Sequence, residues 1–136
     1  MPRLLLGLLL LAAPLVAFTS ETAPQPDDPK VLALTFYADW CGSCKVLDPR
    51  LNAASADLAA LPVAFVTLDQ TNADARRRSA ALAKEGGYTE VYRANEGKTG
   101  FVLLLHAESK EVLGTLTSAD SEATIVRKVR SAVASA

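Results

Sequence analysis

Three short runs of the chain are apolar at nearly every position: Val31–Tyr37 (VLALTFY), Val63–Leu68 (VAFVTL) and Phe101–His106 (FVLLLH). Such continuous aliphatic and aromatic runs predict strands buried on both faces. Glu111–Leu116 alternates weakly after the polar turn Ala107–Lys110, which predicts an antiparallel hairpin with the strand before it. Between these runs the apolar residues switch to helical spacing. Val46, Leu47, Leu51, Ala54 and Leu58 predict a helix opening at Cys41–Gly42 and running to about Ala60, kinked at Pro49 and ended by Pro62. Thr71, three residues before Asp74, resembles a capping box and opens a second, Ala- and Arg-rich helix. That helix runs to about Glu85 and stops at Gly86–Gly87. Tyr88–Gly100 reads as a short helix or a loop. Ile125, Val126, Val129 and Val133 mark a last helix capped by Ser118 or Asp120. The order β, α, β, α, β, β, α places the chain in the α/β class, with a central mixed β-sheet flanked by helices. The two early β–α–β units predict parallel pairing, and the late hairpin adds an antiparallel edge.

The N-terminus departs from this pattern. From Leu4 to Phe18 every residue is apolar, Gly or Pro, and Arg3 is the only charge before Glu21. A short positive start before an apolar run of this length is a secretory signal pattern, and the run is shorter than the roughly 20 residues a bilayer-spanning helix needs. Residues 1–19 therefore read as a signal peptide, with an uncleaved anchor as the rival reading. Membrane attachment is expected only in that second case. Residues 20–30, with Pro24, Pro26 and Pro29, read as an extended linker. The folded domain is expected over 31–136. Half of the 136 residues are hydrophobic, but without residues 1–18 the fraction falls to about 46%, ordinary for a globular domain. Export to the periplasm or another extracytoplasmic space is the expectation. A net charge of −1 gives no electrostatic case for nucleic-acid binding.

The chemistry concentrates in the only two cysteines, Cys41 and Cys44. They form a C-x-x-C at the junction of a buried strand and a helix. The thiolate is the attacking species in thiol–disulfide exchange, and a helix N-terminus stabilises it through unpaired N–H groups and a partial positive charge. Cys41 is expected to be the more exposed and more acidic thiol. Cys44, one turn further in, is placed to attack a mixed disulfide at Cys41. Gly42 and Ser43 are small and leave the approach open, and Lys45 adds a positive charge. Three competing readings are a structural disulfide, a metal site and two inert thiols. A four-residue loop constrains the unfolded chain little. A closed zinc site needs four ligands, and His106 is the only histidine. Cu(I) on the two thiolates is the alternative kept, as a metallochaperone-like module. No other cofactor is expected.

The segment Phe36-Tyr37-Ala38-Asp39-Trp40-Cys41-Gly42-Ser43-Cys44-Lys45 resembles the active-site segment of the thioredoxin family, whose usual motif is W-C-G-P-C-K after an apolar strand. Pro49 matches that family's helix-kinking proline. The Y-A-D-W-C form is similar to exported and membrane-tethered reductase domains. The resemblance spans roughly Val31 to Val133 and implies a thioredoxin-like fold. It implies thiol–disulfide oxidoreductase activity on protein disulfides, with Cys41 as nucleophile, Cys44 as resolving thiol and Trp40 as a shielding indole. A reductase needs an electron donor, expected to be membrane-bound. Four departures stand out. Ser43 replaces the proline between the cysteines. Thr35 stands where many members carry a buried acid, so the proton of Cys44 must go to water, Lys45 or another group. Lys98-Thr99-Gly100-Phe101 lacks the family's cis-proline, which leaves Thr99 expected to face the cysteines with Gly100 beside it. The stretch from about 71 to 98 reads as an insertion near the active site.

Weaker features have bland readings. Arg76, Arg77 and Arg78 suit a solvated helix face or a docking surface for an acidic partner. Tyr88 and Tyr92 suit mutual packing or a substrate groove. His106 suits the core edge or surface, and Asp39 an exposed loop or electrostatic tuning of the thiol.

Overall fold

A computed structural model describes residues 26–136. The expected signal segment and the first part of the linker lie outside the described residues. Eight elements follow in order: β1 (Val31–Tyr37), α1 (Gly42–Leu58), β2 (Val63–Asp69), α2 (Ala73–Glu85), α3 (Thr89–Asn95), β3 (Phe101–His106), β4 (Val112–Thr117) and α4 (Glu122–Ser135). The strands form one sheet in the order β2-β1-β3-β4. The mixed α/β architecture predicted from the hydrophobic runs is the one observed.

One pairing differs from expectation. β1 and β2 are parallel, from Val31 opposite Val63 to Tyr37 opposite Asp69. β3 is antiparallel to β1, however, with Phe36 opposite Phe101. The expectation of two parallel units treated the β2–β3 connection as one helix. The Tyr88–Gly100 stretch holds a second helix, α3, so the chain leaves the end of the sheet where β2 finishes and comes back to that end before β3 begins. β4 then pairs antiparallel with β3, with an irregularity between Leu104 and Leu105.

Helices cover both faces of the sheet. α1 and α4 pack on one face around Val31, Ala33, Leu47, Ala54, Val102, Leu104, Ile125 and Val129. The other face carries Leu34, Phe36, Leu68, Leu103 and Leu105, packed with Ala83, Tyr88 and Tyr92 from the 71–98 stretch. Burial on both faces is why the three strand runs lack polar alternation. Among the described residues no helix is long and apolar enough to cross a membrane.

Two helix starts shift from their predicted caps. Asn72, not Thr71, caps α2 by accepting from the Ala75 N–H, and Ser121, not Ser118 or Asp120, caps α4 by accepting from the Thr124 N–H. Thr71 and Asp120 are engaged elsewhere, as shown below. Pro49 lies inside α1, as its position predicts.

Candidate active site

The register places three chain segments at one end of the sheet: the exits of β1 and β2 and the entry to β3. The first carries the cysteines. Cys41 has extended backbone dihedrals and is the N-cap of α1, and its Sγ accepts a hydrogen bond from the Cys44 N–H at 3.1 Å. The two residues are joined as a disulfide with a Cα–Cα distance of 5.3 Å. Both are buried, Cys41 at 5% exposure and Cys44 at 2%. The order of exposure follows expectation, though neither sulfur is open to solvent by more than a sliver. Cys44 Sγ lies 3.9 Å from the Phe36 carbonyl oxygen, and Ala38 and Tyr37 pack around the pair. An N–H aimed at Cys41 Sγ from the first turn of a helix favours negative charge on that sulfur.

The second segment steadies the loop before the cysteines. Thr71 Oγ1 accepts from the Asp39 N–H at 3.1 Å, and the Thr71 carbonyl accepts from Trp40 Nε1 at 3.0 Å. Trp40 is thereby held by its polar edge while 58% of its surface stays exposed. Thr71 N–H donates in turn to Asp69 Oδ1 at 2.8 Å. The Thr71 hydroxyl is the main cause holding the Asp69 carboxyl below its usual range, against some desolvation. Next to Thr71, Gln70 is fully buried, and its Oε1 accepts from the Gly97 N–H at 3.0 Å. Its Nε2 donates to the Leu68 carbonyl, and Tyr92 Oη donates to the Arg76 carbonyl at 3.0 Å.

The third segment closes over the disulfide. Gly100 N–H donates to the Phe36 carbonyl at 2.8 Å, and Gly100 sits at φ +90°. A Cβ at this position would fall 3.3 Å from Cys41 Sγ and 2.6 Å from Ser43 Cβ. The backbone of Gly100, which follows Thr99, thus lies against the cysteines. No described peptide bond is cis. Gly42 faces open space, and Ser43 and Lys45 are exposed.

α1, the inner strand β1 and the edge strand β2 bound a cleft of about 710 Å³. Thr35, Tyr37, Asp48, Phe65 and Thr67 line it, with Pro26 at its edge. Burial pushes the Asp48 carboxyl above its ordinary value. Among the described residues no group of three or more His, Cys, Asp and Glu side chains is placed to hold a metal ion.

The structure thus gathers Trp40, Cys41, Gly42, Ser43, Lys45 and Gly100 at one site. It separates other candidates from them. His106 ends β3 opposite Val31, at the far end of β1, and its Nδ1 accepts from the Glu108 and Ser109 N–H groups. Tyr92 is core and stacks on Phe36, with ring centroids 6.4 Å apart. Arg77 and Arg78 are solvent-exposed, with Arg77 paired to Asp74, while half-buried Arg76 reaches the Gln70 carbonyl. Sequence reasoning missed Gln70, Thr71 and Asp48. Only the i,i+4 spacing of Cys44 and Asp48 offered a local signal, since such residues share a helix face.

The family model for thioredoxin matches residues 17–95. The chain is 33% identical over 81 residues to thioredoxin from Chlamydia trachomatis serovar D, covering 55% of this chain and 79% of that protein. The chain belongs to the thioredoxin family. With its paired cysteines at the head of α1, it is a thiol–disulfide oxidoreductase. It is also 44% identical over 59 residues, 43% of its length, to human protein disulfide-isomerase A2, of which it spans a tenth. Its fold is shared by a thioredoxin-family thiol:disulfide interchange protein from Chlorobium tepidum TLS (TM-score 0.51, 23% identity, 76% of this chain and 80% of that one).

Proposed function

We propose that this protein is exported and reduces disulfides in extracytoplasmic proteins, with Cys41 as the attacking sulfur and Cys44 as the resolving one. The observation that carries the reading is the N–H of Cys44 directed at Cys41 Sγ from the first turn of α1. In the reduced protein that contact favours the Cys41 thiolate, which attacks a substrate disulfide and forms a mixed disulfide. Cys44 then attacks Cys41 Sγ and releases the second substrate sulfur. Exposed Trp40, half-exposed Val46 and small Gly42 leave room for a polypeptide beside the sulfur. The charged start and apolar run of residues 1–18 support export. The Y-A-D-W-C segment supports the reducing direction, with electrons supplied by a membrane-bound donor. The test is insulin reduction by the wild type, Cys41→Ser and Cys44→Ser in the presence of a small dithiol. Cys41→Ser is expected to lose activity, and Cys44→Ser to accumulate a mixed disulfide. Equal rates for wild type and Cys41→Ser would overturn the assignment.

A further inference from the structure

The resolving step needs an acceptor for the proton of Cys44. Ala38 and Tyr37, packed against the disulfide, carry no carboxylate, and Asp39 is exposed on the loop before Trp40. Thr35 and Tyr37, which point from β1 toward α1, carry hydroxyls rather than a carboxylate. Lys45 is exposed, directed to solvent rather than to the buried Cys44. Asp69 sits at the end of β2, held by the Thr71 hydroxyl and N–H. His106 is at the opposite end of the sheet.

Asp48 is different. It follows Cys44 by four residues in α1, so the two side chains stack on one helix face with Cβ atoms about 5–6 Å apart. Asp48 is half-buried and lines the same cleft as Thr35 and Tyr37. Tyr37 also packs against the Cys41–Cys44 cluster, so the cleft and the buried sulfur share a wall. We propose that Asp48 accepts the proton of Cys44 in the resolving step, through water held in this cleft between Asp48 and Thr35. The inference rests on the dithiol mechanism above and assigns to α1 a task that β1 does not perform in this chain.

The step balances as follows. Cys41 Sγ is bonded to a substrate sulfur. The Cys44 thiol passes its proton by way of water to the Asp48 carboxylate. The Cys44 thiolate attacks Cys41 Sγ, the bond from Cys41 to substrate breaks, and the substrate sulfur leaves as a thiolate that takes up a proton. Two electrons pass from the dithiol to the substrate disulfide. Water is a competent bridge because the cleft offers it hydroxyl and carboxylate partners. Desolvation of Asp48 acts in the same direction, since it brings the carboxyl closer to the thiol in basicity. The other titratable group lining the cleft is Tyr37 on β1; Lys45 and Arg50 flank Asp48 along α1, and exposed Asp27 and Asp28 follow Pro26 in the chain. Arg50 is turned away, donating to the Ser118 and Asp120 carbonyls. The β2 residues lining the cleft, Val63, Phe65 and Thr67, carry no charge.

The experiment uses the reduced full chain and the aryl disulfide dithiobis(nitrobenzoate). Attack by Cys41 releases a first thionitrobenzoate, and attack by Cys44 on the resulting mixed disulfide releases a second. In Asp48→Asn the second release is expected to slow about tenfold or more at neutral pH. The gap should narrow as pH rises, because hydroxide then takes the Cys44 proton without help from Asp48. The first release should change less than about twofold, and Asp48→Glu should recover most of the second rate. An unchanged second release at neutral pH overturns the proposal. So does slowing by one constant factor at every pH, which marks a packing role. Failure of the dithiol reading looks different: the wild type then gives a first release no faster than Cys41→Ser. Matching far-ultraviolet circular dichroism of the variants establishes that they are folded.

Discussion

Gly100 has its amide tied to the Phe36 carbonyl, a φ of +90°, and no room for a methyl group beside Ser43 and Cys41. The positive φ and the lack of space each favour glycine, and the amide bond fixes the backbone that packs against the disulfide. Gly100→Ala is expected to destabilise the protein by about 1–3 kcal/mol, from φ strain and overpacking. Urea unfolding measures this, and combining it with Ser43→Gly should return part of the loss because the Ser43 Cβ is the closest obstacle. A Gly100→Ala variant as stable as wild type would show that the loop shifts freely. Cys41 and Cys44 were legible in the sequence because their C-x-x-C spacing stands where an apolar strand run gives way to helical spacing, and Trp40 through the resemblance of its segment to the thioredoxin motif. Thr71 was not, because its partners Asp39 and Trp40 lie 32 and 31 residues away and no local pattern announces such a contact.

At the level of elements, the first turn of α1 supplies the chemistry and the β2 exit holds it in place. Gln70 is the hinge of that support. It joins the end of β2 to the turn before β3 by accepting from the Gly97 N–H. Gln70→Ala leaves that N–H without its partner and opens space under Tyr92. The expected cost is about 1–3 kcal/mol. Amide exchange at Gly97 and Gly100 should quicken more than exchange in α4, on the opposite face of the sheet. Uniform acceleration throughout would contradict a local role for Gln70. The strand runs were legible to within a residue because burial on both faces leaves an unbroken apolar stretch. Helix caps were legible only to within one to three residues. Several Ser, Thr, Asn and Asp side chains compete at each start, and tertiary partners decide among them. Thr71 is taken up by Asp39, so Asn72 caps α2.

Across the whole molecule, Asp120 joins three elements. Its carboxylate accepts from the Thr117 N–H at the end of β4 and from Lys128 Nζ on α4, while its carbonyl accepts from Arg50 of α1. Burial pushes its carboxyl up, but the Lys128 and Thr117 hydrogen bonds and the charges of Lys128 and Arg127 outweigh this and hold it below the ordinary value. A carboxyl depressed in the folded state contributes stability above its unfolded value of about 3.9, and that contribution is lost as pH falls through the folded value. Asp120→Asn should therefore lower Tm at neutral pH, with the difference from wild type shrinking below about pH 4. A difference independent of pH across that range would contradict the ionic role. The linear order of apolar runs, the helical spacing around Cys41 and the cysteine pair itself were enough to establish an α/β chain with redox chemistry at a helix start. These features depend on neighbours a few residues apart, which the sequence displays directly. The antiparallel placement of β3, the closure of Gly100 over Cys41 and the placing of Asp48 and Thr35 on one cleft depend on segments that approach only after the sheet is assembled. Their physical cause is the extra helix between β2 and β3 and the register of β1 with both neighbours, which bring distant residues to one end of the sheet.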